Sequence, residues 1–262
     1  MTRERYHLLD ALRGLTLISM IAYHGMYDLV EIYGADVSWF WDTPGRVWQQ
    51  SVCWTFILLS GFCWNLGKQP LRRGLTVFGG GILVTAVTFF FMPSQRILFG
   101  ILTFLGSAML VQIPLSRLLD KLPAWAGLAG SALLFILTRD INAGFWGFGA
   151  FRLGAVPESL YSGFLLTFLG FPEPGFWSGD YFSFFPWFFL FLCGFFLYRF
   201  LMKSEGVRRA LSCRIRGLEW LGRHSLIIYL LHQPAVMAAL EAAALLGAVS
   251  YTHLTLPTKL EV

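Results

Sequence analysis

The chain has 262 residues, of which 56% are hydrophobic and only 13% are charged. A soluble domain normally carries about 25% charged residues and needs polar surface to cover its core. The composition therefore excludes an ordinary soluble enzyme, a disordered chain and a disulfide-stapled secreted domain. The net charge of +5 is distributed between apolar segments rather than on one face, which argues against nucleic-acid binding. We expect an all-α integral membrane protein, because a helix satisfies its own backbone hydrogen bonds within a bilayer.

Seven apolar segments are long enough, or nearly long enough, to cross a bilayer, which takes about 20 helical residues. They lie at about residues 8–31, 46–67, 74–93, 97–116, 124–138, 182–202 and 224–247. The fifth is short, and we expect its helix to extend into the flanking residues. A further stretch at 159–171 is too short to span, so we predict that it lies at the interface or re-enters the membrane.

Small residues within these segments indicate how the helices pack. The pair Ser60-Gly61 and the run Gly79–Gly81 predict close helix contacts, because residues without bulk let two backbones approach. The four cysteines show neither a pairing pattern nor metal-ligand spacing, and we interpret them mainly as small core residues. We expect no metal site and no permanently bound cofactor.

We expect residues 1–247 to form a single transmembrane domain. Residues 248–262 are more polar, fit no span, and contain Tyr251, Thr252 and His253 in a run that is typical of a translated library adapter. The sequence therefore predicts a non-native tail that carries no function.

Basic residues predict the orientation of the chain. With the N-terminus inside, 15 basic residues fall in inner segments and 4 in outer segments, an asymmetry typical of cytoplasmic loops. The longest outer segment then runs from about Arg139 to Tyr181. We expect a multi-pass protein of a plasma membrane with a cytoplasmic N-terminus.

The first predicted span carries four ionisable residues with helical spacing. Because a helix turns 100° per residue, Arg13 and His24, which are 11 residues apart, point in directions that differ by only about 20°. Asp28 lies one turn beyond His24, and Asp10 lies one turn before Arg13. Ionisable residues inside a span usually face a cavity or a partner.

Two interpretations of these four residues are open. In the functional one, His24 is a general base whose tautomer is set by Asp28. In the structural one, Asp10 and Arg13 form an interfacial ion pair, and His24 hydrogen-bonds to a neighbouring helix. The shared face favours function.

Three further polar residues are candidates for a second tier of the same cavity. His232 and Gln233 precede Pro234 in the last span, where the missing proline N–H exposes a carbonyl that they could satisfy. Alternatively, they line a cavity together with His24. Asp180 lies where the chain enters the sixth span and is a weaker candidate.

Three segments together resemble the acyltransferase-3 superfamily. The first is Leu9–Gly14, followed by His24 ten intervening residues beyond Arg13. The second is Phe56–Phe62, which is similar to a Leu-Ser-Gly-Phe segment, and the third is Leu221–Pro234, which resembles a closing Tyr-Leu-x-His-x-Pro helix. Within the superfamily, the similarity is greatest to short bacterial relatives of heparan-alpha-glucosaminide N-acetyltransferase.

The resemblance extends over about residues 5–245 and implies a membrane acyltransferase. Such an enzyme transfers an acyl group from cytoplasmic acyl-CoA to an extracytoplasmic acceptor. We expect the acyl group to be acetyl, and the acceptor to be a glycan or another small hydroxyl or amine compound. His24 corresponds to the candidate catalytic residue and Arg13 to its companion. We also expect the protein to lie in a bacterial inner membrane, with the lipid bilayer as a partner. A homo-oligomer is compatible with this expectation.

Charge suggests where the donor binds. Lys68, Arg72 and Arg73 lie in an inner loop, where acyl-CoA is available, and cations there attract its phosphates. An alternative function is a proton-coupled transporter or channel that uses the Arg13-His24-Asp28 face as a relay. A third is a non-catalytic membrane partner with a structural polar core.

Overall fold

The computed structural model describes residues 5–246 and is predominantly helical. Its α-helices in chain order are α1 (His7–Glu31), α2 (Thr43–Trp64), α3 (Pro70–Phe91), α4 (Ile101–Leu119), α5 (Ala124–Thr138), α6 (Phe164–Leu169), α7 (Phe184–Leu201), α8 (Glu205–Leu211), α9 (Arg216–Arg223) and α10 (Ser225–Leu245). Two strands, β1 (Phe145–Phe148) and β2 (Phe151–Ala155), lie between α5 and α6. The chain divides into two compact units. Within the described residues, the first contains 5–55 and 213–246, and the second contains 56–212.

Each of the seven predicted segments forms a helix over most of its length, but the count of seven spans is not confirmed. Five helical segments of the described chain are long and apolar enough to cross a membrane: Pro70–Phe91, Ile101–Leu119, Ala124–Ala143, Phe184–Leu201 and Ser225–Leu245. The fifth predicted segment thus extends into its C-terminal flank, as expected. Helices α1 and α2 are not among these five, because charged residues in α1 and the polar first half of α2 lower their mean hydropathy.

In the first unit, α1 and α9 are in backbone contact at two glycines. A Cβ atom on Gly14 would lie 2.1 Å from the carbonyl oxygen of Leu218, and one on Gly222 would lie 1.8 Å from the carbonyl oxygen of Asp10. Only residues without a side chain fit at these positions. This contact brings the start of α1 against α9, and α10 follows immediately along the chain and also packs on α1.

In the second unit, two glycines likewise let helix backbones touch, which confirms the close contacts predicted at Gly61 and Gly81. A Cβ on Gly61 would lie 1.9 Å from the carbonyl oxygen of Phe191, and one on Gly81 would lie 2.5 Å from the backbone nitrogen of Thr103. Gly79, by contrast, faces open space, so the prediction of a close contact there is wrong. Of the cysteines, Cys63 and Cys193 are buried in this unit.

The long segment between α5 and α7 contains a β-hairpin that the all-α prediction missed. Strands β1 and β2 pair antiparallel, with Phe145 opposite Ala155, and a two-residue turn joins them. Gly149 occupies that turn with φ of +58°, a conformation that glycine adopts at little cost. The predicted short segment at 159–171 contains the six-residue helix α6, which is too short to span.

Candidate functional site

Helices α1 and α10 of the first unit bring two histidines into contact. The ring centroids of His24 and His232 are 4.8 Å apart, and the ring planes are inclined by 62°. His232 is buried, and His24 is partly buried. The structure thus places His232 beside His24, and the prediction that both line one functional cavity stays a prediction.

His232 is also hydrogen-bonded to the backbone of its own helix. Its Nδ1 lies 2.5 Å from the carbonyl oxygen of Tyr229, about one turn before Pro234. Because a carbonyl oxygen can only accept, Nδ1 must donate the hydrogen. The other ring nitrogen, Nε2, is buried and has no hydrogen-bond partner among residues 5–246.

Asp28 finds its partner on α10 rather than on α1. The side-chain Nε2 of Gln233 donates to both carboxylate oxygens of Asp28, each at 2.9 Å. Asp28 is only 1% exposed, and no cation in the described chain is paired with it. The prediction that Asp28 hydrogen-bonds to His24 is therefore not what the structure shows, because the amide of a distant helix occupies the carboxylate.

Arg13 and Asp10 form the ion pair that the structural interpretation anticipated. Nη1 of Arg13 lies 3.1 Å from Oδ1 of Asp10, and Nη2 of Arg5 lies 2.9 Å from the other oxygen. Nη1 of Arg13 also approaches the carbonyl oxygen of Gly222 at 3.5 Å. Only the contact with Gly222 crosses from α1 to α9, and Arg13 lies about 16 Å along the helix axis from His24 at 1.5 Å per residue.

The structure adds one buried acid that sequence reasoning missed. Glu219 on α9 is completely buried, and its carboxylate contacts His7 at 2.9 Å and both Arg214 and Arg223 at 3.8 Å. The sequence did contain an indication that Glu219 is buried. It lies three residues before Gly222 and therefore on the same face of the helix, which packs against α1. The cluster ties the start of α1 to α9.

Asp180 belongs to the second unit and acts at a helix terminus. Its Oδ2 accepts a hydrogen bond from the backbone N–H of Ile101 at 3.2 Å, at the start of α4. Burial raises the pKa of Asp180 to about 6, and the Ile101 hydrogen bond offsets part of that rise. This arrangement favours a structural role for Asp180.

Replacement of Asp180 by Asn should stabilise the protein at alkaline pH. A carboxyl whose pKa is raised on folding destabilises the folded state above that pKa, and this cost disappears as the pH falls from about 6 towards the ordinary value of 3.8. The difference corresponds to about 3 kcal/mol. Thermal unfolding in detergent should show Asp180→Asn more stable than the wild type at pH 8 and equal to it near pH 4. Equal stability at both pH values would contradict the assignment, and exposed Asp36→Asn is the control.

A family model described as heparan-alpha-glucosaminide N-acetyltransferase, catalytic, matches residues 5–234. The chain belongs to this family. The matched range includes His24, Asp28, His232 and Gln233. No curated protein and no solved structure is significantly similar to the chain.

Membership of the heparan-alpha-glucosaminide N-acetyltransferase family indicates an acetyltransferase, and the five apolar helices indicate a membrane protein. The broader assignment to the acyltransferase-3 superfamily stays a prediction. Within residues 5–246, no group of three or more histidine, cysteine or acidic residues is arranged to hold a metal ion.

Of the basic residues predicted to bind the donor, Lys68 lies between α2 and α3, whereas Arg72 and Arg73 lie in the first turn of α3. All three belong to the second unit, and they differ in environment. Lys68 and Arg72 are exposed. Arg73 instead turns inward, with Nη1 3.5 Å from the carbonyl oxygen of Cys63, and it covers Gly67, where a Cβ would lie 1.6 Å from the guanidinium. In this family member, two cations therefore face outward and the third holds the end of α2.

Proposed function

We propose that the protein transfers an acetyl group from acetyl-CoA on the cytoplasmic side to a sugar acceptor on the other side of the membrane. Family membership supports the acetyl transfer. The observation that carries the choice of site is the contact between His24 and His232, together with the hydrogen bond from Gln233 to the buried Asp28. Two imidazoles and a carboxylate on two adjacent helices are the groups that acyl transfer needs.

The proposed roles follow from these contacts. The histidine pair accepts the proton that the acceptor loses, or takes the acetyl group itself, because neutral imidazole is both a base and a nucleophile near neutral pH. Asp28 lies one turn from His24 on α1 and has no paired cation, so its negative charge stabilises an imidazolium that forms beside it. Gln233 holds that carboxylate in place.

Arg13 and Asp10 are assigned a positioning role in this proposal. The ion pair within α1 orients the Arg13 guanidinium, and its contact with the carbonyl of Gly222 joins α1 to α9. The depth and rotation of α1 decide where His24 lies, so these residues act through His24 and do not touch the reacting atoms.

The donor's phosphates are assigned in this proposal to the exposed cations Lys68, between α2 and α3, and Arg72, in the first turn of α3. Replacement of Arg72 by Ala should weaken acetyl-CoA binding about tenfold at low salt and reduce its salt dependence, because a charge-assisted hydrogen bond contributes about 1.5–3 kcal/mol. Arg72 is chosen because it is exposed, whereas removal of Arg73 would also disturb the end of α2. Isothermal titration of purified protein measures the effect, with exposed Arg46→Ala as the control. Unchanged affinity at low salt would move the donor site elsewhere.

The proposed orientation can be tested with a native cysteine. Cys213 is exposed and lies between α8 and α9, in a segment that the basic residues place on the cytoplasmic side. A membrane-impermeant maleimide should label it only after cells are permeabilised, and Cys213→Ser identifies the labelled site. Labelling in intact cells would reverse the assignment.

The function itself is tested with purified, reconstituted protein. We expect release of the CoA thiol from acetyl-CoA to depend on an added sugar or amino sugar, with one acetyl group recovered on the acceptor for each thiol released. Binding of acetyl-CoA without transfer to any acceptor would contradict the proposal. A pH-driven flux in proteoliposomes without acetyl-CoA would favour the transporter alternative instead.

A further inference from the structure

The two histidines of the site are not equivalent in their hydrogen bonds. Nδ1 of His232 donates to the Tyr229 carbonyl of its own helix. No residue of the described chain hydrogen-bonds to either ring nitrogen of His24, and the carboxylate one turn away from it, that of Asp28, is occupied by Gln233. Of these two histidines, only His232 has its tautomer set by a hydrogen bond to a fixed partner.

That hydrogen bond determines where the basic electron pair of His232 lies. A neutral imidazole carries its proton on one nitrogen and its lone pair on the other. With the proton held on Nδ1, the lone pair is on Nε2, which is buried without a partner. Buried polar atoms in proteins are nearly always hydrogen-bonded, so an orphaned one is a place where a ligand's hydrogen is expected.

The orientation of the Gln233 amide leaves a second buried acceptor of the site without a donor. A carboxylate can only accept, so Gln233 must present its nitrogen to Asp28 and its oxygen, Oε1, away from it. Oε1 is also buried without a donor within residues 5–246. Two acceptors on consecutive residues of α10, Nε2 of His232 and Oε1 of Gln233, therefore lack a hydrogen-bond donor within the described residues.

We propose that His232, through Nε2, is the base that takes the proton from the acceptor, an assignment that rests on the proposed acetyl transfer. The acceptor's oxygen or nitrogen attacks the acetyl carbonyl carbon, its proton moves to Nε2, and the bond between carbon and sulfur breaks. The CoA thiolate then receives that proton, which restores neutral His232. The same proton balance holds whether the acetyl group passes directly or through His24.

The variant that tests this is His232→Asn. The amide nitrogen of Asn occupies the place of Nδ1 and keeps the donor to Tyr229, while the basic Nε2 is lost. We expect kcat to fall about 10²- to 10⁴-fold, which is the usual contribution of a general base, with acetyl-CoA affinity unchanged. The acidic limb of the pH profile of kcat should also disappear.

His224→Asn is the matched control. His224 makes the same kind of bond, with Nδ1 2.8 Å from the carbonyl oxygen of Trp220, but it is exposed and lies outside the site. Its replacement should leave kcat and the pH profile unchanged. A wild-type pH profile with kcat within tenfold of the wild type in His232→Asn would overturn the assignment while leaving the proposed function intact.

A second measurement does not depend on activity. In protein labelled with ¹⁵N-histidine, the signals that vanish in His232→Asn should show a protonated Nδ1 and an unprotonated Nε2 for the neutral ring. The opposite tautomer would overturn the assignment. A wild-type protein that transfers no acetyl group would overturn the proposed function, and the role of His232 with it.

Discussion

Replacement of His24 by Asn should lower the rate of acetyl transfer by about 10²- to 10⁴-fold, within the range of acid–base and covalent contributions by histidine. His24 contacts the ring of His232 and lies one turn before Asp28 on α1. Asn keeps much of the size and polarity of the ring but is neither a general base nor a nucleophile that accepts an acyl group. The fold and acetyl-CoA affinity should therefore survive.

The measurement is acetyl transfer by monodisperse protein, with donor binding followed separately. Asp28→Asn is the comparison variant, and its rate of acetyl transfer should fall less than that of His24→Asn. Asp28 acts only through its charge on the neighbouring imidazoles, and Asn in its place can still accept a hydrogen bond from Gln233. If His24→Asn keeps nearly full turnover while His232→Asn abolishes it, only His232 is catalytic. If both variants remain active, the site does not lie on α1 and α10.

A methyl group at Gly222 should separate α1 from α9. The added Cβ would lie 1.8 Å from the carbonyl oxygen of Asp10 and 2.7 Å from its carbonyl carbon, and these backbone atoms cannot rotate away. Overpacking of this kind typically lowers the free energy of unfolding by about 1–3 kcal/mol. The clash here is with backbone atoms, which favours the upper end of that range. Gly222→Ala should therefore lower the unfolding temperature and, by displacing α1, reduce acetyl transfer.

Gly217→Ala on the same helix is the control for this prediction. No atom lies within 4 Å of a Cβ at Gly217, so Ala there should be neutral or slightly stabilising, since Ala is favoured over Gly in helices by up to about 1 kcal/mol. Thermal unfolding in detergent compares the two variants. Equal stability would show that α9 can move away from α1 without cost.

The positions of the helices were predictable because their signals are local. Apolar runs of about 20 residues and the turn of 100° per residue require no knowledge of distant contacts. The same locality explains an error. Residues 145–155 mix Phe and Gly without a helical or strand period, so their pairing into a hairpin depends on the turn at Gly149 and was missed.

The sequence by itself determined which side chains α1 presents, including Arg13, His24 and Asp28 on neighbouring parts of one face. It could not determine the partners of His24 and Asp28, because each of these partners lies about 200 residues away. Close contact at Gly222 buries Glu219, and α10 brings Gln233 to Asp28 and His232 to His24. A hydrogen bond between side chains that are remote in sequence is decided by how helices pack, and only the tertiary structure contains that information.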